Sequence, residues 1–162
     1  IDPWDAALKR AALKQRTWPV PHAAIVRGEG VRMPFRDGSL ELVVSNLGVN
    51  NFSDPDAVLG EVRRVLTQGG TLAFTTNRQG HFAELYEVFA SVLATRDDQA
   101  ALERLRVHDE HRGTVASMTE RLERSGFRVA SVHERTIAMR FVSHSLCASA
   151  LTVSLRSSYD SS

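Results

Sequence analysis

The chain has 162 residues, 43% hydrophobic and 24% charged, and its 20 basic and 19 acidic side chains leave a net charge of +1. That balance argues against a nucleic-acid or membrane partner held by bulk electrostatics, and the length predicts a single domain. One cysteine, Cys147, excludes a disulfide framework or a cysteine-rich zinc site and fits a reducing cytoplasm, while no apolar run approaches the roughly 18 residues of a transmembrane helix.

The chain opens Ile1-Asp2-Pro3, without a methionine. Asp2-Pro3 reads as a helix N-cap followed by proline at the first helical position, where its missing N–H costs nothing. The helix runs from about Trp4 to Gln15, with Ala7, Leu8, Ala11 and Ala12 as a small-residue face, and Pro19 and Pro21 end it. Ala23-Ala24-Ile25-Val26 is a short apolar run between turn residues, which predicts a buried strand. A loop follows through Gly28-Glu29-Gly30 and Met33-Pro34-Phe35 to an Asp37-Gly38 turn.

Leu40 to Asn46 is the strongest strand, apolar on both faces at its Leu-Val-Val centre, as a parallel strand covered by helices should be. Asp54-Pro55 repeats the cap-plus-proline start, and Val58, Leu59, Val62, Val65 and Leu66 recur at helical spacing up to Gly69-Gly70. Thr71 to Thr76 is another buried-type strand. Three helices follow: one with Phe82, Leu85, Phe89, Val92 and Leu93 on a face, one restarting at Asp97-Asp98, and one from Thr114 to Ser125 stopped by Gly126. Phe127 to Val132 and Arg135 to Val142 alternate like strands. Ser143 to Ser162 carries eight serines and reads as a weak helix and a frayed tail.

Strands alternating with helices through short Gly/Pro loops predict an α/β fold with a mainly parallel sheet. In such a sheet ligands bind beyond the carboxyl ends of the strands. The groups expected there are Asp2, the Gly28-Glu29-Gly30 turn, the segment from Ser45 to Asn51, and Thr75 to Arg78. Two carboxylates with neutral amides suit a pair of sugar hydroxyls and a base edge. They suit phosphate poorly, because no glycine-rich cradle lies among them.

The span Gly28-Glu29-Gly30-Val31-Arg32-Met33-Pro34-Phe35-Arg36-Asp37-Gly38-Ser39-Leu40-Glu41-Leu42-Val43-Val44-Ser45-Asn46 resembles the central signature of class I S-adenosylmethionine-dependent methyltransferases of the small-molecule "type 11" kind. Asp54-Pro55 and the block from Glu61-Val62-Arg63-Arg64-Val65-Leu66 to Gly69-Gly70-Thr71-Leu72 resemble that family's next signature, in the same order and spacing. The resemblance implies a Rossmann-like three-layer α/β/α fold, S-adenosyl-L-methionine as cofactor, and methyl transfer to a small-molecule acceptor. It places Asp2 at the end of the family's second strand, on the ribose hydroxyls. Glu29 faces the adenine amino group, and the Gly30 N–H faces a ring nitrogen. Ser45, with Asn46, stands beside the sulfonium and the acceptor; Asn50 and Asn51 occupy positions that relatives often fill with histidine or aromatic residues, which gives no general base.

The family's glycine-rich loop and first strand would lie upstream of Asp2, so the resemblance implies a domain truncated at its amino terminus. Residues 1–142 then form a partial methyltransferase domain, 80–112 a helical insertion that could cover the acceptor, and 143–162 a poorly ordered tail. The alternative is a non-catalytic fragment or degenerate copy that cannot hold the cofactor, its fourth strand left with an unpaired apolar edge. A nicotinamide-binding domain is a third reading, disfavoured because a second nucleotide-binding half is missing. Plain structural roles stand beside each assignment: an N-cap for Asp2, a solvated loop carboxylate for Glu29, strand-end caps for Ser45 and Asn46, and core packing for the Phe82 stripe. His108, Asp109, Glu110 and His111 lack a third ligand at metal-site spacing and read as a charged helix end.

Overall fold

The computed structural model of the chain describes residues 1–137. The chain divides into two compact units, Ile1–Val129 and Ala130–Ser162. The first unit holds, in order, helix α1 (Asp5–Thr17), strand β1 (Leu40–Asn46), helix α2 (Pro55–Val65), strand β2 (Leu66–Thr75) and helices α3 (Ala83–Thr95), α4 (Gln99–Glu110) and α5 (Val115–Arg124). In the second unit the described residues, 130–137, carry neither helix nor strand.

The core is the β1-α2-β2 crossover. Asp54 caps α2 through a 2.9 Å bond accepted from the Ala57 N–H, with Pro55 in the first turn. Val58, Leu59, Val62 and Val65 then fall on one face by helical spacing, and all four are buried. They form the core with Met33 and Leu66, and Leu40, Val43, Leu72 and Phe52 pack around it. β1 and β2 pair in parallel, with Val43 beside Leu72 and Asn46 beside Thr75, so both carboxyl ends lie together.

Several expectations are corrected. Only one face of β1 is covered among the described residues: Leu42 and Val44 remain 56% and 65% exposed, because α2 lies on the Val43 side and no helix lies on the other. The edge of β1 away from β2 has no strand partner there either. Gly69-Gly70 does not stop α2, which ends at Val65. Leu40 faces Leu66 and Leu42 faces Thr71, so residues 67–70 bulge out of β2, with Gly69 at φ +78°.

Ala23 to Val26 forms no regular strand, and Ala23, Ala24 and Ile25 are exposed. The one neighbouring strand segment is Asp2, whose N–H donates to Val26 O and whose O accepts from Gly28 N–H, both at 3.2 Å. Two bonds do not make a ladder. Asp2 is not the α1 N-cap: α1 starts at Asp5 with Trp4 in the cap position and no side-chain cap bond. Phe127 to Val132 forms no strand, and neither do residues 135–137. Alternation supplies side-chain faces but not the backbone partner a strand needs. Residues 138–162, with Cys147 and the serine-rich tail, lie outside the described residues.

The helices after β2 follow their caps. Asp98 accepts the Ala101 N–H at 2.9 Å, and Thr114 and Ser117 form a reciprocal capping box on α5. Among the described residues no helix is long and apolar enough to cross a membrane.

Candidate functional site

The parallel bridge between Asp2 and Arg27 brings Asp2 alongside the turn that carries Glu29 and Gly30. One Asp2 carboxylate oxygen accepts the Trp4 N–H at 2.8 Å, and the other has no hydrogen bond among the described residues. The Arg32 N–H donates to Glu29 O at 3.2 Å, closing a tight turn with Gly30 inside it. The Glu29 side chain is exposed and has no hydrogen bond or ion pair among the described residues. Gly30 lies directly on α2: a Cβ there would meet both Val58 methyls at 3.2 Å, so any larger residue would have to displace Val58 by a few tenths of an ångström. Val58 is in the first half of α2, which starts just after the carboxyl end of β1.

At that carboxyl end, Ser45 is half-buried beside Phe74. Asn46 Oδ1 accepts the Thr75 hydroxyl, and the Thr75 oxygens O and Oγ1 both accept the Leu47 N–H at 3.1 Å. Leu47 sits at φ +57°, a conformation an L side chain rarely takes. Asn50 donates to Asn77 O at 3.0 Å and accepts from the Thr76 hydroxyl at 2.7 Å. The strand-end amides are therefore joined to one another across β1 and β2. Among the described residues no hydrogen bond links them directly to Asp2 or Glu29; Gly30 rests on α2, and Val43, three residues before the end of β1, packs against the core that α2 forms.

A pair absent from the expected site residues holds this arrangement. Glu61 and Arg64 lie one turn apart on α2, flanking buried Val62 and Val65. Arg64 donates from Nε to Glu61 at 2.8 Å, from Nη2 to Glu61 at 2.7 Å and Met33 O at 3.2 Å, and from Nη1 to Phe35 O at 2.9 Å and to Asp37. Glu61 Oε1 also accepts the Met33 N–H at 2.7 Å. Hydrogen bonding to Arg64 is the main cause that holds the Glu61 carboxyl at about 2, against the opposing effect of desolvation, with the Met33 N–H adding to the lowering. The sequence signal was two opposite charges spaced i, i+3 within an otherwise apolar helix face.

Farther along, Gln79 N–H donates to Gly113 O and Gly80 N–H to Asp109 Oδ1, both at 3.2 Å, so the end of α4 is fastened to the segment leaving β2. Arg112, 10% exposed, donates to the Tyr86 hydroxyl at 2.9 Å and stands 3.2 Å from His108 Nε2. An open groove of about 520 Å³ between α3 and α4 is lined by Tyr86, Leu102, Arg106 and Asp109 among others.

Residues 1–74 match the family model described as a methyltransferase domain. The match supports a class I S-adenosylmethionine-dependent methyltransferase domain over this stretch. The chain is 36% identical over 78 residues to the demethylmenaquinone methyltransferase of Beutenbergia cavernae, covering 46% of this chain and 32% of that protein. It is 38% identical over 69 residues to the malonyl-[acyl-carrier protein] O-methyltransferase of Laribacter hongkongensis, covering 43% and 23%. The chain thus spans a third or less of the length of these curated relatives. A provisionally named methyltransferase of Bacillus halodurans C-125 superposes with a TM-score of 0.60 at 23% identity, over 82% of this chain and 53% of its own. The YcgJ protein of Bacillus subtilis superposes with a TM-score of 0.55 at 19% identity, over 76% and 49%. These two likenesses establish the Rossmann-like α/β fold.

Proposed function

We propose that this chain supplies the adenosine-binding side and the acceptor side of an S-adenosylmethionine-dependent methyltransferase acting on a small molecule. The observation that carries the reading is the Glu29-Gly30 turn, seated on Val58 of α2 within the family-matched stretch. The Glu29 carboxylate and the Gly30 N–H, neither with a hydrogen-bond partner among the described residues, present an acceptor and a donor side by side. An adenine edge offers the complementary pair, an amino group and a ring nitrogen. The second Asp2 oxygen, without a hydrogen bond among the described residues and bridged through its backbone to Arg27, suits ribose hydroxyls, so the residues present fit the nucleoside half of the cofactor.

When bound, the cofactor supplies a methyl group activated by a sulfonium. Transfer to an oxygen, nitrogen or carbon nucleophile depends on proximity and alignment. What this chain contributes is placement: Ser45 and Asn46 at the carboxyl end of β1 border the transfer position. Asn46 is held by Thr75, and the α3–α4 pair, within 80–112, covers the acceptor. Net charge of +1 favours a small acceptor over a nucleic acid.

A second reading is that this polypeptide does not hold the cofactor when isolated, and the exposed Leu42 and Val44 on one face of β1 favour it. Calorimetry with S-adenosylhomocysteine separates the two. Micromolar affinity for the 162-residue chain supports the first reading and removes the second. No binding by the intact protein refutes the first. In the intact protein, Asp2→Ala weakens binding about tenfold, or about 1.4 kcal/mol; an unchanged affinity removes Asp2 from the ribose site.

A further inference from the structure

We infer that Arg64 and Glu61 are positioning residues for recognition of the cofactor's adenine, an inference that rests on the reading above. The loop from Gly28 to Gly38 carries no regular secondary structure, so its backbone groups need partners from elsewhere. α2 supplies them. Arg64 has five N–H hydrogens, and all five are used: two on Glu61, one each on Met33 O and Phe35 O, and one on Asp37. Glu61 completes the clamp by accepting the Met33 N–H. The loop's far end is secured by Gly38 N–H to Arg64 O and Ser39 N–H to Val65 O, both at 2.9 Å.

Met33 is the buried residue of this loop, and it lies one residue beyond the Glu29–Arg32 turn. Fixing both backbone polar groups of Met33 on α2 therefore fixes the base of the turn that presents Glu29 and Gly30. Gly30 rests on Val58 of the same helix, so the turn is held between two contacts on one rigid element. A lysine cannot replace the arginine here. An ammonium directs three hydrogens from one point, whereas the loop carbonyls and Glu61 call for a planar fork.

The test compares wild type, Arg64→Lys, Glu61→Gln and Asp37→Asn in the intact protein. Each is titrated with S-adenosylhomocysteine and with its inosine analogue, which lacks the exocyclic amino group. Wild type should prefer the adenosyl compound. Arg64→Lys should raise its dissociation constant at least tenfold and cut the adenosyl-over-inosyl preference by fivefold or more. Glu61→Gln should follow in the same direction. Asp37→Asn, which touches only the exposed end of the fork, should stay within about twofold. Amide exchange should quicken across residues 29–37 in Arg64→Lys while α2 and β2 keep their protection, which shows that the variant is folded. A merely structural pair would weaken both compounds equally and leave the preference intact, and that result overturns the inference. Absence of wild-type binding overturns the cofactor reading and this inference with it, whereas wild-type affinity and preference in Arg64→Lys overturn the inference alone.

Discussion

Replacing Glu61 with glutamine removes a charge while keeping the shape of the clamp. The carboxyl stands at about 2 in the folded chain against an ordinary value of 4.5, chiefly because Arg64 donates to both its oxygens. A group whose folded pKa is depressed contributes stability that is fully present above its unfolded pKa. That contribution is lost as pH falls through the folded value. The shift corresponds to about 3 kcal/mol at 1.36 kcal/mol per unit. The Arg64 side chain is 33% exposed, however, and solvent screening at its open end reduces the expected contribution to about 1–2 kcal/mol. Urea denaturation of wild type and Glu61→Gln from pH 7 to pH 2.5 reads this directly. Wild type should be more stable by about that amount down to pH 4.5, and the gap should close progressively towards pH 2. Other carboxylates titrate in the same range but are common to both proteins and cancel in the difference. A gap that persists unchanged at pH 2.5, or none at pH 7, refutes the assignment of the shift to this pair.

Val65 is fully buried at the centre of a small core, so Val65→Ala should cost about 2–3 kcal/mol through lost apolar burial and the cavity left behind. The midpoint of urea unfolding should fall with its slope unchanged, and a loss below about 0.5 kcal/mol would show that the site collapses. His108 should titrate below 6.5 by NMR, because burial and then the Arg112 and His111 charges disfavour its imidazolium, with Asp109 opposing. Arg112 can only donate, so Nε2 of His108 is the acceptor and the proton sits on Nδ1. Its contribution to stability is present above 6.5 and fades as pH falls. Arg112→Gln should move the midpoint upward, and a midpoint above 6.5 in wild type would contradict the arrangement.

The parts legible from residues alone were those whose signals are local. β1 emerged with its observed boundaries because an apolar run between turn residues needs no further information. α2 emerged from its Asp54-Pro55 start and apolar spacing, and α4 and α5 from their caps. Where a second chain segment decides, the residues were silent. Ala23 to Val26 has the composition of a strand but only Asp2 to pair with, and Gly69-Gly70 has the look of a helix stop but sits in a bulge that the register with β1 creates. The Glu61–Arg64 clamp escaped for the same reason. Its acceptors are backbone carbonyls of Met33 and Phe35, which leave no mark in side-chain identity. The resemblance to methyltransferases reached the family but not the physical device that holds its loop.

The clamp also has a consequence in time. Met33 precedes its partner Glu61 by 28 residues, and a ribosome adding about 5–20 residues per second needs roughly one to six seconds to cover that distance. During that interval the Met33 N–H and the Met33 and Phe35 carbonyls lack the partners that α2 later supplies, and this part of the loop settles only after α2 has emerged and coiled. The segment that would meet the nucleoside is thus made early and finished late, its order of completion inverted from its order of synthesis.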